Sequence, residues 1–269
     1  MKLNNALIGY TGFIGSNLLG IKKNLIKFNS KNIKKIKFRN FNLVICAGTY
    51  SKIWIAKKNP KKDFNNIQNL INNLKTIEAK KFILISTCEV YGKRTSCNEK
   101  TKILETNLSN YGLNRFRLEK FVEKNFLDYH IIRLPIVYGN GFSKNFLFDL
   151  INQKNLESIN GNDLIQIYNV KNLKKDIRFI QKRNIRKINL SSSPFRINKI
   201  ANKFFKIKLN KNKNFRTINM KSIYGNKNGY FFSTKKCFED LKNFLKKKIK
   251  NEIVYIQHSM VKKSKCKGN

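Results

Sequence analysis

The sequence predicts an α/β fold in which a doubly wound parallel sheet is followed by a smaller C-terminal region, and three observations predict it. An apolar run near the N-terminus, Ala6-Leu7-Ile8, opens directly into glycines at positions 9, 12 and 15. Short apolar runs then alternate with longer amphipathic ones through the first half of the chain, the pattern of strand-helix-strand units around a parallel sheet. Finally, 269 residues of which 41% are hydrophobic can bury a full core, enough for one large domain or a domain and a half.

Taken in order, residues 5–9 read as a central strand, because parallel strands are covered on both faces and appear as unbroken apolar runs. Glycines at three-residue spacing let the chain turn sharply and bring bare backbone close to an anion. A helix over 13–20, begun by Phe13 and Ile14, turns its free N–H groups and the positive end of its dipole to the same place. Further strands are expected at 24–28, 42–47, 81–87 and 130–135, with helices at 62–78 and 110–126 between them. Ile67, Leu70, Ile71 and Leu74 share one face of the first of these helices. The short span from the glycine turn to Phe41 implies a trimmed second strand-helix unit. Beyond Asn140 the periodicity weakens. Phe146 to Ile151 and Ile197 to Phe205 read as helices, Leu164 to Val170 and Ile185 to Leu190 as strands, and Lys236 to Lys248 as a last helix before a lysine-rich tail. The expected division is residues 1–140 for the sheet and 141–269 for a smaller mixed region with a basic tail.

Lys and Arg number 57 against 15 Asp and Glu, a formal charge of +42. The lysines are spread along the whole chain among many Asn, Ile and Phe, so they read as a compositional bias and not as a stripe for reading nucleic acid. Lys246-Lys247-Lys248 and Lys262-Lys263 read as solvated surface with loose polyanion binding as a side effect. No stretch approaches the roughly 20 apolar residues of a membrane span, and the first residues read as strand and turn and not as a signal peptide. A soluble cytoplasmic protein is expected. Cys46, Cys88, Cys97, Cys237 and Cys266 are odd in number, scattered and never in a C-x-x-C pair, which argues against a disulfide framework and a zinc site. His130 and His258 are the only imidazoles, too few for a histidine-based triad or metal centre to be expected.

Gly9, Gly12 and Gly15 make G-x-x-G-x-x-G, and with T-G-F-I-G-S-N-L the turn resembles the extended branch of the short-chain dehydrogenases/reductases, the NAD-dependent epimerase/dehydratase family, whose members mostly act on nucleotide-linked sugars. The run from Phe82 to Gly92, F-I-L-I-S-T-C-E-V-Y-G, is similar to that family's strand ending in an active-site Ser/Thr followed by V-Y-G. Arg133 to Gly139 resembles its R-x-x-N-V-Y-G strand end, with Ile136 at the Asn position, and Asn65-Asn66-Ile67 after Pro60 stands where the family carries a helix Asn. The likeness covers about the first 140 residues. It implies a Rossmann-like fold, an NAD or NADP cofactor and a nucleotide-sugar substrate bound by the C-terminal region. Relatives commonly pair through the helix of Tyr111 and its neighbour, so it also implies a homodimer.

The resemblance places cofactor contacts at Gly9, Thr11, Gly12, Phe13, Ile14 and Gly15 in the turn, at Asn29, Ser30 and Lys31 after the second strand, at Ala47 and Gly48 after the third, and at Tyr111, Arg115 and Pro135. Phe28-Asn29-Ser30-Lys31 offers no carboxylate for a ribose 2'-hydroxyl and does carry a cation, which leans the cofactor to NADP. In this superfamily a Tyr, and a Lys four positions later on the same helix face, meet a Ser/Thr at a strand end. Here these are Tyr111, Thr87 and, in the lysine's place, Arg115. A free phenol has a pKa near 10, so a fixed cation beside it favours phenolate and lets it exchange a proton with a sugar hydroxyl. Arg115 keeps the charge and can donate to the ribose, but its fork is bulkier and cannot relay a proton. Ser86, Cys88 and Glu89 are expected to face the substrate. Where a nucleotide-sugar dehydratase carries an Asp before the Glu as general acid, this chain has Cys88, a weak proton donor, which argues against a 4,6-dehydratase and for epimerisation or ketone reduction. The alternative is a protein that binds NAD(P) or a nucleotide sugar without turnover, and Arg115 is its support.

Overall fold

The structure, a computed structural model, describes residues 3–50, 53–92 and 96–248. The strands are β1 (Asn4–Ile8), β2 (Leu25–Phe28), β3 (Asn40–Cys46), β4 (Glu78–Thr87), β5 (Tyr129–Leu134), β6 (Ile136–Tyr138), β7 (Leu164–Ile165), β8 (Ile167–Asn169), β9 (Lys187–Asn189) and β10 (Phe195–Arg196). The helices are α1 (Phe13–Asn17), α2 (Ile53–Lys58), α3 (Pro60–Leu74), α4 (Asn110–Asn125), α5 (Phe146–Asn152), α6 (Leu173–Lys182) and α7 (Ile197–Ile200). A further helix runs over 234–248. The expected lysine-rich tail, with Lys262, Lys263, His258 and Cys266, lies outside the described residues.

Six parallel strands lie in the order β2-β1-β3-β4-β5-β9. Alternation along β1 explains why the sheet is covered twice. Ala6 and Ile8 join a core with Ile67, Leu70, Leu74 and Leu118 of α3 and α4, whereas Leu7 joins one with Leu173, Ile177 and Ile180 of α6. Successive strands leave β1 in opposite directions, to β2 on one side and β3 on the other, so a crevice opens beyond their carboxyl ends.

Several boundaries differ from the sequence reading for local reasons. The helix expected over 62–78 begins at Pro60, where Asn59 caps it by accepting from the Lys62 N–H at 3.0 Å, and it stops at Leu74 so that β4 starts at Glu78. The helix expected over 13–20 is only Phe13–Asn17, with no side-chain cap. Leu164 to Val170 is not one strand. Gln166 lies buried between β7, antiparallel to β10, and β8, parallel to β6. Its side chain accepts from the Met220 N–H at 2.8 Å and donates to the carbonyls of Met220 and Ser192, so the chain changes partner there. Helices α2 and α6 are absent from the sequence reading, although Leu173, Ile177 and Ile180 form a buried face of α6.

The sheet is not confined to residues 1–140. Strand β9 completes it and α6 covers it, because the apolar faces of residues 173–190 pack on Leu7, Ile45 and Ile132. A separate core, with Leu147, Leu150, Phe195, Ile200 and Phe238, is built mostly from later residues, joined by Tyr138 of β6.

Candidate functional site

The glycine turn sits at the switch between β2 and β3. Gly9 has φ +83°, and a Cβ on it would stand 2.4 Å from the Ala47 carbonyl oxygen, so the turn needs glycine both for its conformation and for its approach to β3. The Gly9 N–H donates to Phe28 O at 2.7 Å and the Ala47 N–H to Ile8 O at 2.9 Å, which ties the ends of three strands together. Gly12 differs in that a Cβ would meet only Gly9 O, at 3.3 Å, leaving bare exposed backbone.

A cleft of about 170 Å³ opens there, lined by Gly9, Thr11, Gly12, Asn29, Ser30, Ala47 and Gly48 from the sequence reading and also by Thr49, Tyr50, Asn66 and Asn69. Asn66 carries a signal in the Asn65-Asn66-Ile67 segment; Thr49, Tyr50 and Asn69 carry none. Phe13, Ile14 and Gly15 form the first turn of α1 and do not line the cleft. Lys31 is exposed and not among the lining residues, and its backbone N–H closes a turn onto Asn29 Oδ1 at 2.9 Å. Asn29 also donates to the Tyr10 hydroxyl at 3.4 Å. Pro135 is buried between β5 and β6, outside the cleft lining.

The second group of residues gathers where β4 ends. The Glu89 N–H donates to Thr87 Oγ1 at 3.3 Å, capping a short turn over Cys88–Tyr91. Ser109 caps α4 by accepting from the Gly112 N–H at 3.2 Å, and Gly112 lies against the Glu89 carbonyl, which brings Tyr111 to that turn. Tyr111 is buried, and burial raises its phenol pKa, with Arg115 opposing the rise and Glu89 adding to it. The Cys88 thiol is buried and pushed up to about 12, chiefly by desolvation. Glu89 pairs with Arg216 of the later region.

Two residues form their hydrogen bonds elsewhere. Ser86 donates to Glu119 Oε1 at 2.5 Å, into a buried network in which Arg133 Nη2 reaches Glu119 at 2.6 Å and Arg133 Nη1 reaches the Tyr91 hydroxyl at 2.6 Å. Arg115 turns to Asp63, Nη1 to Oδ2 at 2.5 Å, and its Nη2 donates to the Tyr50 carbonyl. Among the described residues no group of His, Cys, Asp and Glu could hold a metal ion, and no helix is long and apolar enough to cross a membrane.

A model of the NAD dependent epimerase/dehydratase family matches residues 29–181, more than half of the chain. No curated protein sequence matches. Among solved structures, MoeE5 in complex with UDP-glucose and NAD superposes with a TM-score of 0.66 at 16% identity, covering 82% of this chain and 90% of that one. The dTDP-4-dehydrorhamnose reductase of Bacillus anthracis in complex with NADP gives 0.61 at 19% identity, over 81% and 85%. The UDP-N-acetylglucosamine 4-epimerase of Methanobrevibacter ruminantium, in complex with UDP-N-acetylmuramic acid, gives 0.59 at 18% identity, over 87% and 89%.

Proposed function

The chain belongs to the NAD dependent epimerase/dehydratase family, and from that premise we propose that it is an NAD(P)-dependent oxidoreductase or epimerase acting on a nucleotide-activated sugar. The observation that carries this reading is the convergence of Tyr111, on α4, with the Thr87 turn at the end of β4, held by the contact of Gly112 with Glu89. The glycine turn fits a dinucleotide: Gly12 presents side-chain-free backbone to the cleft, and a Cβ there would fill the space that a pyrophosphate needs. Bound there, the nicotinamide cofactor supplies hydride acceptance or donation at the sugar carbon.

The residues of the chain do the rest. Gly9, Gly12, Ala47 and Gly48 keep the cleft free of long side chains so that the cofactor can lie close to the turn, and Asn29 with Ser30 takes the adenosine ribose. No carboxylate stands in that lining to repel a 2'-phosphate, and the exposed Lys31 directly follows Ser30, so NADP is accepted alongside NAD. Thr87 Oγ1 orients the substrate hydroxyl. Tyr111, kept as a phenol by burial, is set to give its proton to the oxygen of a ketone as hydride arrives. Cys88, a buried thiol with a pKa of about 12, is too weak an acid to protonate a leaving hydroxyl, which disfavours 4,6-dehydration.

A binding protein without turnover is the second reading, because the Arg115 guanidinium is spent on Asp63 and the Tyr50 carbonyl. Calorimetry with NAD, NADH, NADP and NADPH at moderate and high salt tests the cofactor site, since a +42 chain binds any polyanion loosely at low salt. Saturable one-site binding that survives high salt is expected, and its absence would sink the oxidoreductase reading. Tyr111→Phe is then expected to abolish conversion of nucleotide sugars while leaving cofactor affinity nearly unchanged; turnover that survives it removes Tyr111 from the mechanism.

A further inference from the structure

Helices α3 and α4 pack so that Asp63 faces Arg115. The carboxylate is 3% exposed and accepts from Arg115 Nη1 at 2.5 Å and from Asn114 Nδ2 at 2.8 Å. Arg115 is itself 2% exposed, its Nη2 donates to the Tyr50 carbonyl, and its Nε is buried with no hydrogen-bond partner. Its Cζ lies 3.9 Å from the centroid of the Tyr111 ring. A buried guanidinium is stable only with a counter-charge, and a planar fork gripped at both Nη atoms has little freedom left.

We infer that Asp63 is a positioning residue for Tyr111: its carboxylate, with the Tyr50 carbonyl, pins the Arg115 guanidinium against the Tyr111 ring. The inference rests on the role proposed above for Tyr111, to which neither the sequence motifs nor the cleft lining adds Asp63. It carries a consequence for the Y-x-x-x-R departure. Arg115→Lys alone will not recreate a lysine active site, because Asp63 draws the ammonium to itself. Asp63 would have to lose its charge as well.

The test is an ultraviolet difference titration of Tyr111, each variant read against the same variant carrying Tyr111→Phe. The charged and titratable groups that bear on this phenol are Arg115, Glu89, Cys88 and Asp63. In Asp63→Asn, loss of a negative charge by itself lowers the phenol pKa, whereas release of Arg115 from the ring raises it; the inference requires a rise, and an unchanged or lower value overturns it. Asp63→Glu keeps the charge and moves it by one methylene, so it serves if the neutral variant does not fold. An upward shift is again expected, and no shift overturns the inference. The titration is read without turnover, so a shift with no activity condemns the oxidoreductase reading and leaves the positioning intact, and activity with no shift does the reverse.

Discussion

The carbonyl oxygen of Glu89 lies so near Gly112 that a Cβ on residue 112 would stand 2.4 Å from it. Helix α4 therefore reaches the turn after β4 only because residue 112 has no side chain. Gly112→Ala must push the helix away, and overpacking of this kind costs about 1–3 kcal/mol. A lower urea midpoint and weaker NADH binding are expected together. Unchanged values of both would mean that the helix is not held at this distance.

Asn29 and Ser30 line the cleft without a carboxylate. Asn29→Asp places a negative charge where a 2'-phosphate would lie, and the expected result is a loss of NADPH affinity of tenfold or more, about 1.4 kcal/mol, with NADH affinity nearly unchanged. Equal loss for both cofactors in calorimetry would put Asn29 away from the ribose.

Asp176 gives a pH dependence with a definite sign. It is buried, accepts from the Tyr168 hydroxyl at 2.6 Å, and burial raises its carboxyl to about 6 from 3.8. The folded state thus binds more protons than the unfolded state between about pH 4 and 6, so this group removes stability as pH rises through that window, by an order of about 3 kcal/mol. Asp176→Asn is expected to stabilise the protein at neutral pH and to flatten the slope of urea stability over the window. A variant that is less stable at neutral pH counts against it.

Glu119 and Arg133 form a buried pair at 2.6 Å, with Ser86 and Tyr91 satisfying the remaining atoms. Glu119→Gln leaves a buried guanidinium uncompensated and is expected to cost about 3–5 kcal/mol in chemical denaturation. Glu119→Leu combined with Arg133→Met should cost less than the single change, and a larger cost for the pair would contradict this account.

Glycine spacing and apolar runs made the first half of the fold legible, because the signals of a parallel sheet are local: Ala6 to Ile8 must be apolar on both faces, and Gly9 must be glycine for its own φ. Asn29, Ala47 and Gly48 were placed by the family resemblance, and each follows a strand whose end faces the crevice. Tyr50 and Asn69 were not, because no local pattern marks how the segment after β3 and the face of α3 come together around the cleft. Nor was α6, whose apolar face reads plainly but follows a segment where Gln166 switches strand partners through bonds to Ser192 and Met220.

By itself the sequence determined the first five strands of the sheet, its glycine turn, the family, and the placing of Tyr111 after the Thr87 strand. Only the tertiary structure decided what those side chains touch. Ser86 and Thr87 are neighbours on one strand, yet the alternation of the pleat sends the first to Glu119 in the core and leaves the second at the turn. Arg115 stands four residues after Tyr111 in the sequence, but its direction was fixed by Asp63, 52 residues away, because a buried guanidinium goes where its counter-charge is.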